Sequence, residues 1–192
     1  MTLAAVILAA GASTRMGRPK ALIEWQGRPF FVHCAERAAA VGCAPIVAVW
    51  GAVPLPEADG VRCVENSQWE RGPLSSLQCG IRAVMESGVS GVLVMTVDRP
   101  HVAVKTLRAL VDAHRAQPGA VVQPRLGDAS GHPVVHPTSV MTEILELSPE
   151  DTVRTVLGRT SIRDSRVRVP VDDAAVLDNL DTPADLDRLP GR

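Results

Sequence analysis

Residues 3–20 read LAAVILAAGASTRMGRPK. Leu3–Ala9 is a near-continuous apolar run, the pattern of a strand covered on both faces. After it, the stretch from Gly11 to Lys20 is dominated by small residues and by three cations, Arg15, Arg18 and Lys20. Pro45–Trp50 (PIVAVW) and Gly91–Val97 (GVLVMTV) repeat the apolar pattern. Between these runs lie segments of helical period. Phe31, Cys34, Ala35, Ala38 and Val41 share one face, Leu74, Leu77, Ile81 and Val84 a second, and Val104, Leu107, Leu110 and Val111 a third. Strands alternating with helices imply right-handed crossovers and a doubly wound, mainly parallel α/β sheet. At 192 residues, a single domain spanning 1–192 is expected.

The second half is less regular. Ala120–Gln123 and Pro133–Val135 read as short strands around the loop Pro124–Gly131, Thr138–Leu147 and Asp151–Leu157 as helices, and Arg166–Val171 as a strand. A last helix is expected near the end of the chain, with Thr182 as N-cap, Pro183 at its first position and Asp185 in its first turn. Asp172, Asp173 and Asp178 read as solvated loop charges. In Gly51–Gly60 (GAVPLPEADG), Pro54 and Pro56 break the place where a crossover helix is due.

Twenty Lys+Arg against 21 Asp+Glu leave a formal net charge of −1, so there is no basic field to neutralise a nucleic-acid backbone or grip an anionic bilayer. Two Phe, three Trp and no Tyr cannot build a row of base-stacking platforms. No stretch approaches the roughly 18 apolar residues of a membrane span. The apolar opening lacks the basic start of a secretion signal. Cys34, Cys43, Cys63 and Cys79 show no C-x-x-C spacing and read as small buried hydrophobes. A cytoplasmic protein without nucleic-acid or membrane partners is expected.

A small-residue loop after the first strand can lay backbone N–H groups against phosphate oxygens. Arg15, Arg18 and Lys20 would complete a polyphosphate cradle. No G-x-G-x-x-G is present, and Lys20 is followed by Ala21 where a Walker loop needs Ser or Thr. Read alone, the loop could equally be a polar connection with solvated charges. Asp98, at the end of the third apolar run, could hold a cation or cap a turn before Pro100. His132 and His136 stand four apart, but Pro133 and Pro137 preclude the helix that would bring both onto one metal.

Leu8-Ala9-Ala10-Gly11-x-Ser13-x-Arg15-Met16-Gly17-x-x-Lys20 resembles the signature loop of the nucleotidyltransferases related to the molybdenum cofactor cytidylyl- and guanylyltransferases. Asn66–Leu77 (NSQWERGPLSSL) is similar to that family's N-x-x-W-x-x-G-x-x-S-S-L, Asp98-Arg99-Pro100 to its D-x-P, Gly131–Val134 to its G-H-P-V, and Asn179–Pro183 to its terminal N-[IV]-D-T-P. The resemblance implies a Rossmann-like nucleotidyltransferase fold and nucleotidyl transfer onto a phosphorylated small molecule, molybdopterin above all. Within that family the form L-A-A-G, as opposed to L-A-G-G, goes with CTP users more than GTP users, so the resemblance favours cytidylyl transfer. Cytidylyltransferases of isoprenoid precursors and of sugar or choline phosphates carry related loops.

The same resemblance implies site roles. Leu8, Ala9, Ala10, Gly11, Ser13, Arg15, Lys20, Asn66, Gly72, Ser75 and Ser76 would bind the nucleotide. Arg15, Lys20 and Asp98 would be catalytic, Asp98 and Asp181 would hold Mg²⁺, and His132 would face the acceptor. Hand-over of the product to a molybdoenzyme or chaperone is a further implication. Arg99 fills the variable place in D-x-P, and Asp151-Thr152-Val153-Arg154 keeps the family's Asp and Arg without its small Gly-Ala centre. A non-catalytic module that binds a nucleotide or molybdopterin is the alternative from another class.

Overall fold

The run LAAVIL forms strand β1 (Leu3–Leu8), in the middle of an eight-stranded sheet. The structure is a computed structural model and describes residues 2–148, 150–159, 162–163 and 165–191. Leu3 to Ile7 are all buried, as their uninterrupted apolar character requires. After β1 the chain makes a small antiparallel pair, β2 (Glu24–Trp25) and β3 (Arg28–Pro29), and then helix α1 (Phe30–Ala40). Strand β4 (Ile46–Trp50) returns parallel to β1, and β5 (Val61–Glu65) lies parallel beyond it as one edge. The connection from β4 to β5 contains no helix, as Pro54 and Pro56 foretell.

Helix α2 (Pro73–Met85) leads to β6 (Gly91–Thr96), parallel to β1 on its other side. From there the sheet becomes mixed. Helix α3 (Val104–Ala116) is followed by β7 (Val122–Leu126), by the two-residue β8 (Ala129–Ser130), and by β9 (Val134–Pro137), which runs antiparallel to both β6 and β7. Helices α4 (Thr138–Leu145) and α5 (Val153–Leu157) precede β10 (Val167–Pro170), parallel to β7 at the other edge.

The period of two along β1 sorts the core. Ala5 and Ile7 face α1 and α3 in a cluster with Phe31, Cys34, Ala38, Leu107 and Leu110. Ala4 and Val6 face α2 and α4, against Leu77, Ile81, Val84, Met141 and Ile144. A third, smaller cluster joins Met16, Ile23, Trp25, Phe30, Leu180, Leu186 and Leu189, so the C-terminal segment packs on the region that follows the first loop.

Several expectations need correction. β7 continues to Leu126, through Pro124 and into the expected loop. The ladder tolerates this proline because β10 bonds to the carbonyls of Val121 and Arg125 on either side of it, from Val167 N (2.9 Å) and Val171 N (3.0 Å). Helix α4 ends at Leu145, and the last helix is a 3-10 turn, Pro183–Arg188. Its cap is as expected: Thr182 and Asp185 form a capping box. Asp185 Oδ2 accepts the N–H groups of Thr182 and Asp181, which draws its pKa down to about 2.

Asp173 and Asp178 are not merely solvated. Asp173 Oδ2 accepts Ala103 N–H at 2.9 Å and the Thr106 hydroxyl at 2.6 Å, and Asp178 pairs with His101 and Arg188. Asp172 is exposed. All four cysteines are free thiols, with Cys34 and Cys43 buried and Cys63 and Cys79 half-buried. Among the described residues no helix is long and apolar enough to cross a membrane.

Candidate active site

In the register of β1 and β6, Leu8 stands opposite Thr96. The chain leaves β1 toward β4 and β5 and returns to β6 on the other side, so strand order reverses between β1 and β6. Ligands of open α/β sheets bind beyond the strand ends at such a point. A cleft of about 500 Å³ opens there, a size suited to a nucleotide. Leu8, Ala10, Gly11, Ser13, Arg15 and Lys20 line one wall, Gly72 and Ser76 a second, and Asp98 and Asp181 a third.

The first wall is held by its backbone. Ser13 adopts φ 54°, Thr14–Met16 makes one 3-10 turn, and Gly17 closes it at φ 72°. The Ser13 hydroxyl accepts the Lys20 N–H at 3.1 Å, tying the two ends of the loop together. Met16 anchors the turn in the third apolar cluster. The loop is thus fixed before any ligand is considered.

The second wall depends on glycine twice. Gly72 has φ 100° and ψ −176°, a conformation essentially confined to glycine, and it joins the turn Trp69–Arg71 to α2. Pro73 then occupies the first helical position, where the missing N–H costs nothing. A Cβ on Gly51 would lie 2.4 Å from the Cβ of Trp69, so only glycine lets Trp69 pack there.

On the third wall, Lys20 Nζ donates to Asp181 Oδ1, and Arg15 pairs with Asp181 Oδ2 at 2.9 Å. The Lys20 hydrogen bond, reinforced by the Lys20 and Arg15 charges and opposed by desolvation, holds the Asp181 carboxyl below the usual carboxylate range. Asp98 Oδ1 accepts from the Thr96 hydroxyl and from Arg99 at 2.8 Å. The Leu180 N–H donates to the Asp98 carbonyl at 3.2 Å, which brings the Asp181 segment alongside. Two carboxylates and two cations therefore share one cleft.

Some expected site residues lie elsewhere. Ala9 is buried in the core, and Arg18 is exposed outside the cleft lining. Asn66 is buried and donates to the hydroxyls of Ser75 and Ser76 at 2.9 and 3.0 Å. The Ser75 hydroxyl in turn donates to the carbonyls of Gln68 and Gly72. Asn66 and Ser75 thus brace the second wall from behind, while Ser76 lines it. His132 also lies outside the lining. Desolvation lowers its pKa, with the Arg99 charge adding to the effect and the Asp98 charge opposing it, although the residue as a whole is exposed.

Thr14, Trp69, Glu70, Pro73, Thr96 and Val97 complete the lining. Trp69 and Glu70 fall inside the quoted segment NSQWERGPLSSL, and Thr96 is opposite Leu8, so their positions beside named residues were the available signal. Among the described residues, no group of three or more His, Cys, Asp and Glu could hold a metal by itself.

Residues 5–166 match the family model described as the MobA-like NTP transferase domain. A probable molybdenum cofactor guanylyltransferase of Rhodopirellula baltica is 31% identical over 191 aligned residues, which cover 94% of this chain and 88% of that protein. The bifunctional protein GlmU of Rhodococcus opacus is 36% identical over 60% of this chain, which spans only 25% of its length. The crystal structure of Rv0371c from Mycobacterium tuberculosis superposes with a TM-score of 0.78 at 25% identity, covering 98% of this chain and 97% of the other. With the family match covering the loop after β1 and the ends of β1 and β6, the chain belongs to the MobA-like NTP transferases and is a nucleotidyltransferase.

Proposed function

We propose that the protein, acting as one cytoplasmic domain, transfers CMP from CTP to a phosphorylated small molecule of the molybdopterin class and releases pyrophosphate. The observation that supports this reading is the pairing of Lys20 and Arg15 with Asp181 in the cleft that also contains Asp98. Such a site offers cations to a triphosphate and hard oxygens to a divalent cation.

The donor set fits Mg²⁺. Asp98 and Asp181 supply carboxylate oxygens, and Mg²⁺ is commonly held by one or two carboxylates, with phosphates and water completing the shell. Bound there, it would neutralise charge on the triphosphate and the leaving pyrophosphate. The remaining tasks fall to the chain. Lys20 acts as a point charge at the α-phosphate, and the Arg15 fork holds two oxygens at the β/γ end. An acceptor phosphate, largely a dianion at neutral pH, needs no general base. Its oxygen attacks the α-phosphorus, the bond to the bridging oxygen breaks, and that oxygen leaves with pyrophosphate. His132, in the segment that resembles the family's G-H-P-V, would stand on the acceptor side.

Ala10 supports the choice of CTP. Ala10 lines the cleft at the place where the L-A-G-G form has a glycine, and an added methyl would leave less room for a purine. The guanylyltransferase name of the Rhodopirellula relative favours GTP as a second reading. A thermal-shift panel of the four NTPs with Mg²⁺, followed by pyrophosphate release with molybdopterin, distinguishes them. A ligand at 100 times its Kd stabilises by about 2.7 kcal/mol, well within detection. Selective stabilisation and turnover with CTP are expected; selectivity for GTP overturns the base assignment. Absence of turnover with molybdopterin, but turnover with another phosphorylated acceptor, overturns the acceptor.

A further inference from the structure

Arg99 is the residue after Asp98, yet it does not line the cleft. Its side chain is 13% exposed, and the guanidinium reaches in two directions. NH1 donates to Asp98 Oδ1 and to the Thr96 hydroxyl, both at 2.8 Å, while NH2 donates to Asn179 Oδ1. Its Nε is buried and has no hydrogen-bond partner among the described residues. A buried donor without an acceptor is destabilising, so this placement is not explained by fold stability alone.

The two ends of the fork meet the two segments that carry Asp98 and Asp181. Asp98 Oδ1 receives both Thr96 and Arg99, whereas no described donor reaches Oδ2. Oδ1 is thereby committed to the protein, and Oδ2 is the oxygen left for a ligand. Asn179 stands two residues before Asp181, and Leu180 N–H bonds to the Asp98 carbonyl. The link therefore has a side-chain half and a backbone half.

We propose that Arg99 is a positioning residue: it orients Asp98 so that a single oxygen faces the metal–triphosphate, and it clamps the Asp181 segment against Asp98. This inference rests on the reading that Asp98 and Asp181 hold the divalent cation. A lysine keeps the charge but offers a point donor in place of the planar fork, and cannot serve both segments in the same geometry.

The test compares Arg99→Ala, Arg99→Lys and Asp98→Asn with the parent protein. Mn²⁺ binding with CTP is followed by the loss of the free-ion paramagnetic signal, and kcat and KM are measured by pyrophosphate release. Arg99→Ala is expected to weaken Mn²⁺ binding and lower kcat by about 10- to 100-fold, with KM for CTP changed far less. Arg99→Lys is expected to fold as the parent does and to recover only a minor part of either loss. If Arg99→Lys restores both quantities, a point charge suffices and the clamp is overturned. If either Arg99 variant that folds stays within twofold of the parent while Asp98→Asn loses both, the clamp is again overturned and the carboxylate reading stands. If Asp98→Asn leaves Mn²⁺ binding intact, the underlying reading fails instead.

Discussion

Lys20 and Asp181 lie 161 positions apart and meet as a hydrogen-bonded ion pair in the cleft, with Arg15 on the other oxygen of the same carboxylate. The pair joins the loop after the first strand to the last segment of the chain. On the proposed reading it also sets up a competition, because a triphosphate would offer Lys20 and Arg15 a more highly charged partner than Asp181 does. A cation drawn toward phosphate would release a carboxylate oxygen for the divalent ion proposed to accompany the nucleotide. Binding of the anion and completion of the cation site would then be coupled through the same side chains.

The two cations differ in how far they are sheltered, and their variants should differ accordingly. Lys20 is 13% exposed and Arg15 71%. Lys20→Ala is expected to lower kcat by about 10²- to 10³-fold, the size of losing one preorganised charge at the reacting phosphate, and to change KM less. Arg15→Ala is expected to act mainly on KM, by roughly tenfold, as for one charge-assisted hydrogen bond. Steady-state pyrophosphate release separates the two, and an unchanged kcat in Lys20→Ala would falsify its assignment to the α-phosphate.

Gly72 offers a test that involves no charge. A Cβ there meets no heavy atom within 4 Å, so the cost of Gly72→Ala is that of the backbone conformation alone. At φ 100° and ψ −176° this cost is on the order of 1–3 kcal/mol. For a chain of this size, each kcal/mol lowers Tm by about 2–4 °C. If the segment relaxes to avoid the strain, the second wall moves and KM for the nucleotide rises. A variant with the parent's Tm and KM would show that the conformation matters to neither the fold nor the site.

Part of this site can be read along the chain because its signals are local. A loop of small residues after an apolar run needs no knowledge of distant contacts, and Thr182, Pro183 and Asp185 define their own cap within four residues. Asp173 is different: its partners, Ala103 and Thr106, are about seventy residues away, so an aspartate in a polar stretch looks like any solvated charge. Asn66 and Ser75 sit in a motif that marks the site, but periodicity cannot tell a residue that lines a cleft from one that braces the wall behind it. The extension of β7 through Pro124 was hidden for the same reason. A proline reads as a break unless the partner strand is known to bond on either side of it.

The titration of His136 gives a stability prediction. Burial lowers its pKa to about 4, with the charges of His132 and Arg166 adding to the effect, and its Nδ1 has no partner among the described residues. The unfolded chain therefore takes up a proton near pH 6.5 that the folded protein refuses until about pH 4. Stability contributed by the neutral ring is complete above pH 6.5 and is lost as pH falls from there toward 4. Desolvation lowers the pKa values of His114 and His132 as well, so they share the slope. Urea midpoints should fall between pH 7 and 5, and His136→Gln should flatten that fall without abolishing it. An equally steep fall in the variant would remove His136 from the explanation.

Asp173 supports the site from a distance. Its Oδ2 accepts from Ala103 N–H and Thr106 Oγ1 at the start of α3, and its Oδ1 accepts from Ala175 N–H at 3.2 Å. It therefore satisfies the N-terminus of α3 from outside the helix while holding the segment that continues to Asp181. Asp173→Ala leaves these donors without their acceptor and is expected to cost about 1–3 kcal/mol, measured by urea unfolding. Because Asp178 pairs with His101 and Arg188, and Arg99 reaches Asn179, the segment has further attachments nearer the cleft. Activity at a temperature where the variant is fully folded should therefore fall by only a few-fold. A stability loss without any loss of activity is compatible with those attachments, but a loss of activity as deep as that of Lys20→Ala would mean that Asp173, and not the contacts nearer Asp181, sets the position of the carboxylate.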